Sequence, residues 1–120
     1  MTQTHGAPRH PTAVVVLNWN GLADTQACLR ALLPQADGRA EVHVVDNGSS
    51  GDDADQLANE FGQLIHLHRS PENLGFTGGN NLVLRQLLDR PAPDLAHVVL
   101  LNNDTIPEAH WLQALLQEAA

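Results

Sequence analysis

Val98-Val99-Leu100-Leu101-Asn102-Asn103-Asp104-Thr105 joins an apolar run to a polar run that contains a carboxylate. Its first four residues are apolar and two of them are β-branched, which predicts a short strand buried on both faces. The polar residues that follow bring Asp104 to the carboxyl end of that strand, where open α/β sheets bind their ligands. Asp104 is therefore a candidate for chemistry.

The alternative is that Asp104 only precedes the next helix. Thr105 and Glu108 have the spacing of a capping box, and Pro107 suits the first helical turn. If Thr105 caps the helix, Asp104 remains free for another role. The final segment, residues 107–120, carries apolar residues on one stripe and predicts a helix that packs on the sheet.

Outward from this strand, strand and helix patterns alternate four times along the chain. The apolar runs predict strands over residues 12–17, 42–45, 64–68 and 98–101. The third mixes polar with apolar residues, so we expect it near a sheet edge. The alternation predicts an α/β fold with a mostly parallel sheet flanked by helices, and we expect the strand order 3-2-1-4.

The helices between these strands are bounded by residues that usually start or stop a helix. The predicted boundaries are Asp24 and Pro34 for the first helix, Gly62 for the end of the second, and Gly78-Gly79 with Pro91 and Pro93 for the third.

Polar clusters follow the first, second and fourth predicted strands. They are Asn18-Trp19-Asn20-Gly21, Asp46-Asn47-Gly48-Ser49-Ser50 and Asn102-Asn103-Asp104. One such cluster could be an ordinary turn, but three at the same edge of a sheet indicate a site. The order 3-2-1-4 places the first cluster beside the third, at the point where the strand order reverses.

Charge limits the possible partners of this 120-residue chain, whose length suits one domain. Six Arg, no Lys and 14 acidic residues give a formal net charge of -8, so nucleic acid is not an expected partner. The absence of Lys excludes a P-loop lysine and Schiff-base chemistry, and disfavours phosphotransfer through an aspartate nucleophile at Asp46. A bound phosphate must be neutralised in another way.

The cysteine content and the N-terminal sequence indicate the cellular compartment of the protein. Cys28 is the single cysteine, so no internal disulfide and no thiol ligand cluster can form. Residues 1–11 lack the apolar run of a signal peptide and predict a disordered lead-in to a domain over residues 12–120. No window is long enough to span a membrane. We expect a cytoplasmic protein, with a peripheral position at the inner face of the cell membrane as the alternative.

The seven histidines are scattered along the sequence. His66 and His68 share one face of the predicted third strand, but the sequence shows no third ligand for them. We therefore expect no metal site at these two residues.

The remaining side chains at the strand ends suit a nucleotide, although G-x-G-x-x-G and P-loop motifs are absent. Trp19 can offer its ring to a base, or it fills the core. Asp46 can bond a base or ribose, or it forms an Asx-type turn with Gly48. Gly78 and Gly79 can bring backbone N–H groups to an anion, or they permit tight packing.

A diphosphate near Asp46 and Asp104 requires a cation. At ~4 Å and an effective dielectric constant of 20, each like-charge pair costs about 4 kcal/mol. Mg²⁺ or Mn²⁺ reverses the sign of this interaction, and Asp104 with Asn102 supplies a partial cage of oxygen ligands.

Four motifs closely resemble those of the inverting glycosyltransferases of family 2. They are Val15-Val16-Leu17-Asn18-Trp19-Asn20, Val44-Val45-Asp46-Asn47-Gly48-Ser49-Ser50, Asn73-Leu74-Gly75-Phe76-Thr77-Gly78-Gly79-Asn80-Asn81 and Leu100-Leu101-Asn102-Asn103-Asp104. The resemblance runs from about residue 12 to the C-terminus. It implies a GT-A fold, a nucleotide-diphosphate sugar donor, a divalent cation, and transfer to an acceptor hydroxyl by direct displacement.

The resemblance also implies a role for each matching position. The implied donor-binding residues are Asn18, Trp19 and Asn20, Asp46, the loop residues Asn73, Gly79 and Asn80, and Asn102, with Asp104 as the metal ligand. Asn102-Asn103-Asp104 occupies the DXD position, where the first residue reaches the ribose and the last holds the metal. Asn at its first two positions is similar to a rhamnosyltransferase-type branch and leaves Asp104 as the charged ligand.

Members of the family carry a general base well after the DXD motif, in an acceptor-binding half. This chain ends 16 residues after Asp104 (120 minus 104), and neither Glu108 nor Glu118 is placed to act as that base. We therefore expect the donor-binding half of an enzyme of polysaccharide biosynthesis, with its base beyond Ala120 and a glycan or lipid-linked glycan as acceptor. The alternative is a non-catalytic module that binds a nucleotide-sugar, or that self-associates as a homodimer through apolar surface.

Overall fold

Four parallel strands with helices on both faces make up the part of the chain that the computed structural model describes, residues 10–90 and 94–119. The elements are β1 Thr12–Asn18, α1 Leu22–Ala36, β2 Glu41–Asn47, α2 Asp53–Phe61, β3 His66–Ser70, α3 Gly75–Leu88, β4 His97–Leu101 and α4 Trp111–Ala119. Most of the predicted lead-in, and Pro91 and Pro93, lie outside the described residues. No helix in these ranges has the length and apolar character needed to cross a bilayer.

The strand order is β3-β2-β1-β4 with every pair parallel, as the sequence predicts. β3 lies at one edge, which confirms its predicted position. β4 lies at the other edge and is only partly buried, so the prediction that this strand is buried on both faces is wrong. The two central strands are almost completely buried, because β1 and β2 each have a neighbour on both sides and helices on both faces. The carboxyl ends of β1, β2 and β4 lie at the same edge of the sheet.

The core has two layers, one on each face of the sheet. Under α1, α2 and α4 it includes Val14, Val16, Leu29, Leu32, Val44, Leu57 and Leu112. Under α3 it includes Ala13, Val15, Val45, Val83 and Leu87. Alternate residues of each strand thus enter opposite layers, and the two faces of β2 have different surroundings.

The first helix is longer than predicted at both ends. α1 starts after Gly21, and Asp24 lies in its first turn, so the prediction of Asp24 as N-cap is wrong. Pro34 lies inside the helix and does not end it. The last turn persists because Ala36 is buried in the core and the N–H of Asp37 donates to the carbonyl of Leu33 (3.2 Å).

The third strand begins two residues later than predicted. Gly62 ends α2 as expected. Residues 62–64 then form a 3-10 turn. Leu64 therefore lies on the surface, Ile65 enters the core, and β3 starts at His66.

The third helix starts at Gly75, one turn before Gly78, so the prediction that Gly78 and Gly79 open it is wrong. Two asparagine side chains set the earlier start. Asn47 Oδ1 accepts a hydrogen bond from the N–H of Leu74 (3.0 Å), and Asn73 Oδ1 accepts one from the N–H of Gly75 (2.7 Å). These bonds satisfy backbone donors that a helix start leaves without partners.

The last helix starts at Trp111, so the predicted capping box of Thr105 and Glu108 is wrong. The cap comes from α1. Gln35 Oε1 accepts a hydrogen bond from the N–H of Leu112 (2.9 Å), and its Nε2 donates to the carbonyl of Glu108 (2.8 Å). With Leu112 completely buried, α4 packs on the sheet as the apolar stripe predicts.

Candidate functional site

A pocket of about 280 Å³ opens at the carboxyl edge of the sheet, between β1, β4 and the start of α3. The polar and aromatic residues that line it are Trp19, Phe76, Asn80, Asn102, Asn103 and Asp104. The structure therefore brings four of the predicted site residues, from three separate segments of the chain, into one pocket.

The aromatic side chains of this pocket are accessible. Trp19 is 53% exposed and Phe76 is 60% exposed, so neither ring is enclosed by the core. The alternative that Trp19 fills the core is wrong. An exposed ring beside polar groups can stack on a flat ligand.

Asp104 is exposed at the rim of the pocket, in a turn where the N–H of Thr105 donates to the carbonyl of Asn102 (3.1 Å). One carboxylate with amide oxygens nearby and access for water is the ligand set that Mg²⁺ or Mn²⁺ accepts together with substrate phosphates. The residues present thus fit a divalent cation. Burial, and secondarily the charge of Asp104, raise the pKa of the Cys28 thiol to about 11, so this thiol stays protonated.

Asp46 lines a neighbouring depression of the same edge, with Arg69 and Ser70. Its carboxylate is nearly buried, and Oδ1 accepts hydrogen bonds from Asn18 Nδ2 (3.0 Å) and Ser49 Oγ (2.5 Å). The side chain of Asp46 is thus held in place by the end of β1 and by the loop after β2 before any ligand binds.

Asn18 is completely buried and connects Asp46 to the rest of the edge. Its Nδ2 also donates to Asp53 Oδ2 (3.0 Å). Its Oδ1 accepts from the hydroxyl of Thr25 (2.6 Å), which in turn accepts from Asn103 Nδ2 (3.0 Å). A continuous chain of hydrogen bonds therefore links the Asp104 turn to Asp46 through the interior of the protein.

Sequence reasoning missed Thr25 in this network. The available signal was a polar residue on the buried stripe of α1, followed at helical spacing by Cys28, Leu29 and Leu32. A buried hydroxyl needs a hydrogen-bond partner, so its position facing the sheet pointed to one.

Asn20 connects the loop after β1 to the loop after β2. It has a positive φ of 50°, and its Oδ1 accepts from the N–H of Ser50 (2.8 Å), while its own N–H donates to Ser49 Oγ (2.9 Å). The side chain of Asn20 therefore holds two of the three polar clusters together.

The loop before α3 is attached to the end of β2. Asn47 Nδ2 donates to Asn73 Oδ1 (3.1 Å). Gly48 has a φ of 76°, and a Cβ there would lie 2.3 Å from the carbonyl carbon of Glu72, so a side chain is excluded. Gly79 is equally close-packed, since a Cβ would lie 2.8 Å from Asn47 Nδ2. This contact supports the packing alternative for Gly79.

A second group of possible metal ligands lies away from this edge. Among residues 10–90 and 94–119, ligand atoms of Glu41, His43 and His66 lie within 4.8 Å of one another, near the amino ends of β2 and β3. The sequence showed no third ligand for the histidines of β3, because the pairing of β2 with β3 is not visible in the sequence.

Comparison with known proteins identifies the family. The model of the family described as "Glycosyl transferase family 2" matches residues 13–120. The chain belongs to glycosyl transferase family 2. None of the curated proteins matches it.

Solved structures support the fold of this family 2 chain. The crystal structure of S. aureus TarS, residues 1–349, is similar with a TM-score of 0.68 and 19% identity. The similarity covers 88% of this chain and 31% of that one, so the chain spans about a third of the length of the TarS structure. The parallel sheet and its order agree with the expected GT-A fold.

Proposed function

We propose that this family 2 chain binds a nucleotide-diphosphate sugar, with Mg²⁺ or Mn²⁺, in the pocket at the carboxyl edge of the sheet. The observation that carries the proposal is the pairing of an exposed ring, Trp19, with an exposed carboxylate, Asp104, in one pocket. A ring suits the base and a carboxylate suits the cation on the diphosphate. The two features match the opposite ends of such a donor.

Each predicted residue has a place in this proposal. Trp19 stacks on the base, Asp46 bonds the base or ribose, and Asn102 reaches the ribose. Asp104 holds the cation, which supplies the charge that a chain of net charge -8 lacks. Asn80 lines the same pocket.

The remaining predicted residues hold the strand ends and loops around the pocket in place. Asn18 acts by fixing Asp46, and Asn20 by joining the loops after β1 and β2. Asn73 and Gly79 hold the start of α3 against the end of β2.

The reaction that we propose for the complete enzyme is transfer of a sugar with inversion onto a hydroxyl of a glycan or lipid-linked glycan. Asn at positions 102 and 103 supports rhamnose as the sugar. The described residues bind and orient the donor, and we assign the general base to an acceptor-binding part beyond Ala120. A cytoplasmic position, or one at the inner face of the membrane, would give access to a soluble nucleotide-sugar.

The test is calorimetric titration of the chain with nucleoside diphosphates, with and without Mn²⁺. We expect Mn²⁺-dependent binding that Asp104→Asn abolishes, while Asp89→Asn, which removes another exposed carboxylate, leaves it intact. Absence of binding at millimolar ligand, or equal binding by the two variants, would refute the proposal.

Self-association is a second candidate function, favoured by the surface of β4. This strand is an edge of the sheet, Leu100 is 47% exposed and Ile106 is 58% exposed. An edge strand with exposed apolar side chains is a template for pairing with a second copy. Light scattering on the chain would show a dimer that Leu100→Glu dissociates; a monomer at high concentration contradicts this candidate.

A further inference from the structure

Three imidazoles are gathered on the face of the sheet that α3 covers, near the amino ends of β2 and β3. Parallel pairing places His43 opposite His66, and His68 opposite Val45 on the same face. The ring of His43 stacks on that of His66 (centroids 4.5 Å apart, 15° between planes) and lies edge to edge with that of His68 (centroids 5.2 Å apart, 22° between planes). We refer to these three residues with Glu41 as the histidine cluster.

Two imidazole nitrogens of the histidine cluster face each other. His43 Nδ1 and His68 Nε2 are 2.9 Å apart. Two nitrogen ligands of one tetrahedral Zn²⁺, each at about 2.0–2.1 Å, are about 3.3 Å apart. An opening of a few tenths of an ångström would admit the ion between them. A ligand atom of His66 lies within 4.8 Å of one on His43. Because these two rings are stacked, His66 has to turn its ring to direct that atom at the ion.

Glu41 holds the ring of His43 in the orientation that metal binding needs. Its Oε2 accepts from His43 Nε2 (2.5 Å), which leaves the lone pair of Nδ1 directed at His68. Metal-bound histidines commonly donate their second nitrogen to a carboxylate in this way. Glu41 is itself fixed by Arg90 Nη1 (2.8 Å) and by the N–H of His10 (2.8 Å).

The charge of the histidine cluster selects the kind of metal. Arg90 balances Glu41, so the cluster has no excess negative charge to attract Mg²⁺ or Ca²⁺. Neutral imidazole nitrogens are ligands for Zn²⁺ and similar transition metals.

We propose that His43, His66 and His68 bind one Zn²⁺ ion, with Glu41 as the carboxylate that orients His43. The ion takes the place of the proton between His43 Nδ1 and His68 Nε2, and His68 carries its single proton on Nδ1 instead. Zinc then joins edge strand β3 to central strand β2. The site is separate from the pocket, since none of the four residues of the histidine cluster lines that pocket.

The test is titration of the chelator-treated chain with Zn²⁺ in competition with a chromophoric chelator, together with thermal unfolding. We expect one Zn²⁺ per chain and a higher Tm, with affinity at least about tenfold lower in His43→Gln and His68→Gln. His110→Asn is the matched control, because His110 is exposed and has a left-handed φ of 68° that Asn tolerates.

Circular dichroism shows whether each variant is folded, and the visible spectrum of bound Co²⁺ gives a second readout of tetrahedral nitrogen ligation. Wild-type affinity in both folded Gln variants, or equal loss in His110→Asn, would overturn the proposal. Asp104→Asn should keep Zn²⁺ binding while losing Mn²⁺-dependent nucleotide binding. The two sites can therefore fail separately.

Discussion

Thr25→Val tests whether the buried hydrogen-bond chain holds the site together. The substitution keeps the shape of the side chain and removes its hydroxyl. Asn18 Oδ1, which is completely buried, then loses the donor at 2.6 Å, and Asn103 Nδ2 loses its acceptor at 3.0 Å. A buried polar group without a partner costs about 1–3 kcal/mol, and the partly exposed Asn103 can regain water. We expect a loss of about 1–3 kcal/mol in the free energy of unfolding.

Urea denaturation measures this loss, and Thr25→Ser is the control. Serine keeps the hydroxyl and removes one methyl group, which costs about 1 kcal/mol. Valine should therefore be the more destabilising substitution, and it should also weaken Mn²⁺-dependent nucleotide binding because the Asp104 turn is less well fixed. A stability of Thr25→Val equal to or above that of Thr25→Ser would refute the reasoning.

Three further predictions concern Gly48, Cys28 and Glu41. Gly48→Ala should cost several kcal/mol in urea denaturation, whereas Gly38→Ala, at a similar φ of 73° but with no atom within 4 Å of the added Cβ, should cost about 1 kcal/mol; equal losses would contradict this. Cys28, with its pKa raised to about 11, should resist iodoacetamide at pH 8 until the chain unfolds, and rapid alkylation of the native chain would show that the thiol is accessible. Burial alone would raise the pKa of Glu41, but hydrogen bonds from His43, Arg90 and the N–H of His10 outweigh this effect and lower the pKa to about 2. The contribution of Glu41 to the free energy of unfolding is therefore complete above its usual pKa of 4.5 and is lost as pH falls towards 2. With chelator present, Glu41→Gln should flatten the acid limb of the stability curve below pH 4.5, and an unchanged limb would exclude Glu41 as its cause.

The topology was predictable because its signals are local. Each strand is a short apolar run, and three of the runs end in polar clusters, which fixes their carboxyl ends at one edge. The residues near the pocket followed from the same clusters. This part of the prediction required no knowledge of distant contacts.

The element boundaries that failed depend on contacts between distant residues. The cap of α4 comes from Gln35, whose Oε1 accepts a hydrogen bond from the N–H of Leu112, 77 residues later in the chain. This contact overrides the local signal of Thr105. The start of α3 is set by Asn47 at the end of β2. Such partners become visible only when the strands are paired.

Contacts between distant residues also explain why the sequence did not reveal Thr25 and the histidine cluster. Thr25 joins the polar edge because α1 packs on β1, and its role depends on Asn18 and Asn103 meeting it there. His43 meets His68 only through the register of β2 with β3. Polar residues at predicted core positions were the available warning in both cases.

NMR of the two tryptophans tests most directly whether the pocket at the carboxyl edge binds a nucleoside diphosphate through a cation on Asp104. The chain has two tryptophans, and their indole N–H signals in NMR provide an internal comparison: Trp19 lines the pocket, whereas Trp111 packs against the core. We expect nucleoside diphosphate with Mg²⁺ to shift the Trp19 signal, to leave the Trp111 signal in place, and to have no effect on Asp104→Asn. An unmoved Trp19 signal at saturating ligand, or the same shift in Asp104→Asn, would contradict the proposed binding.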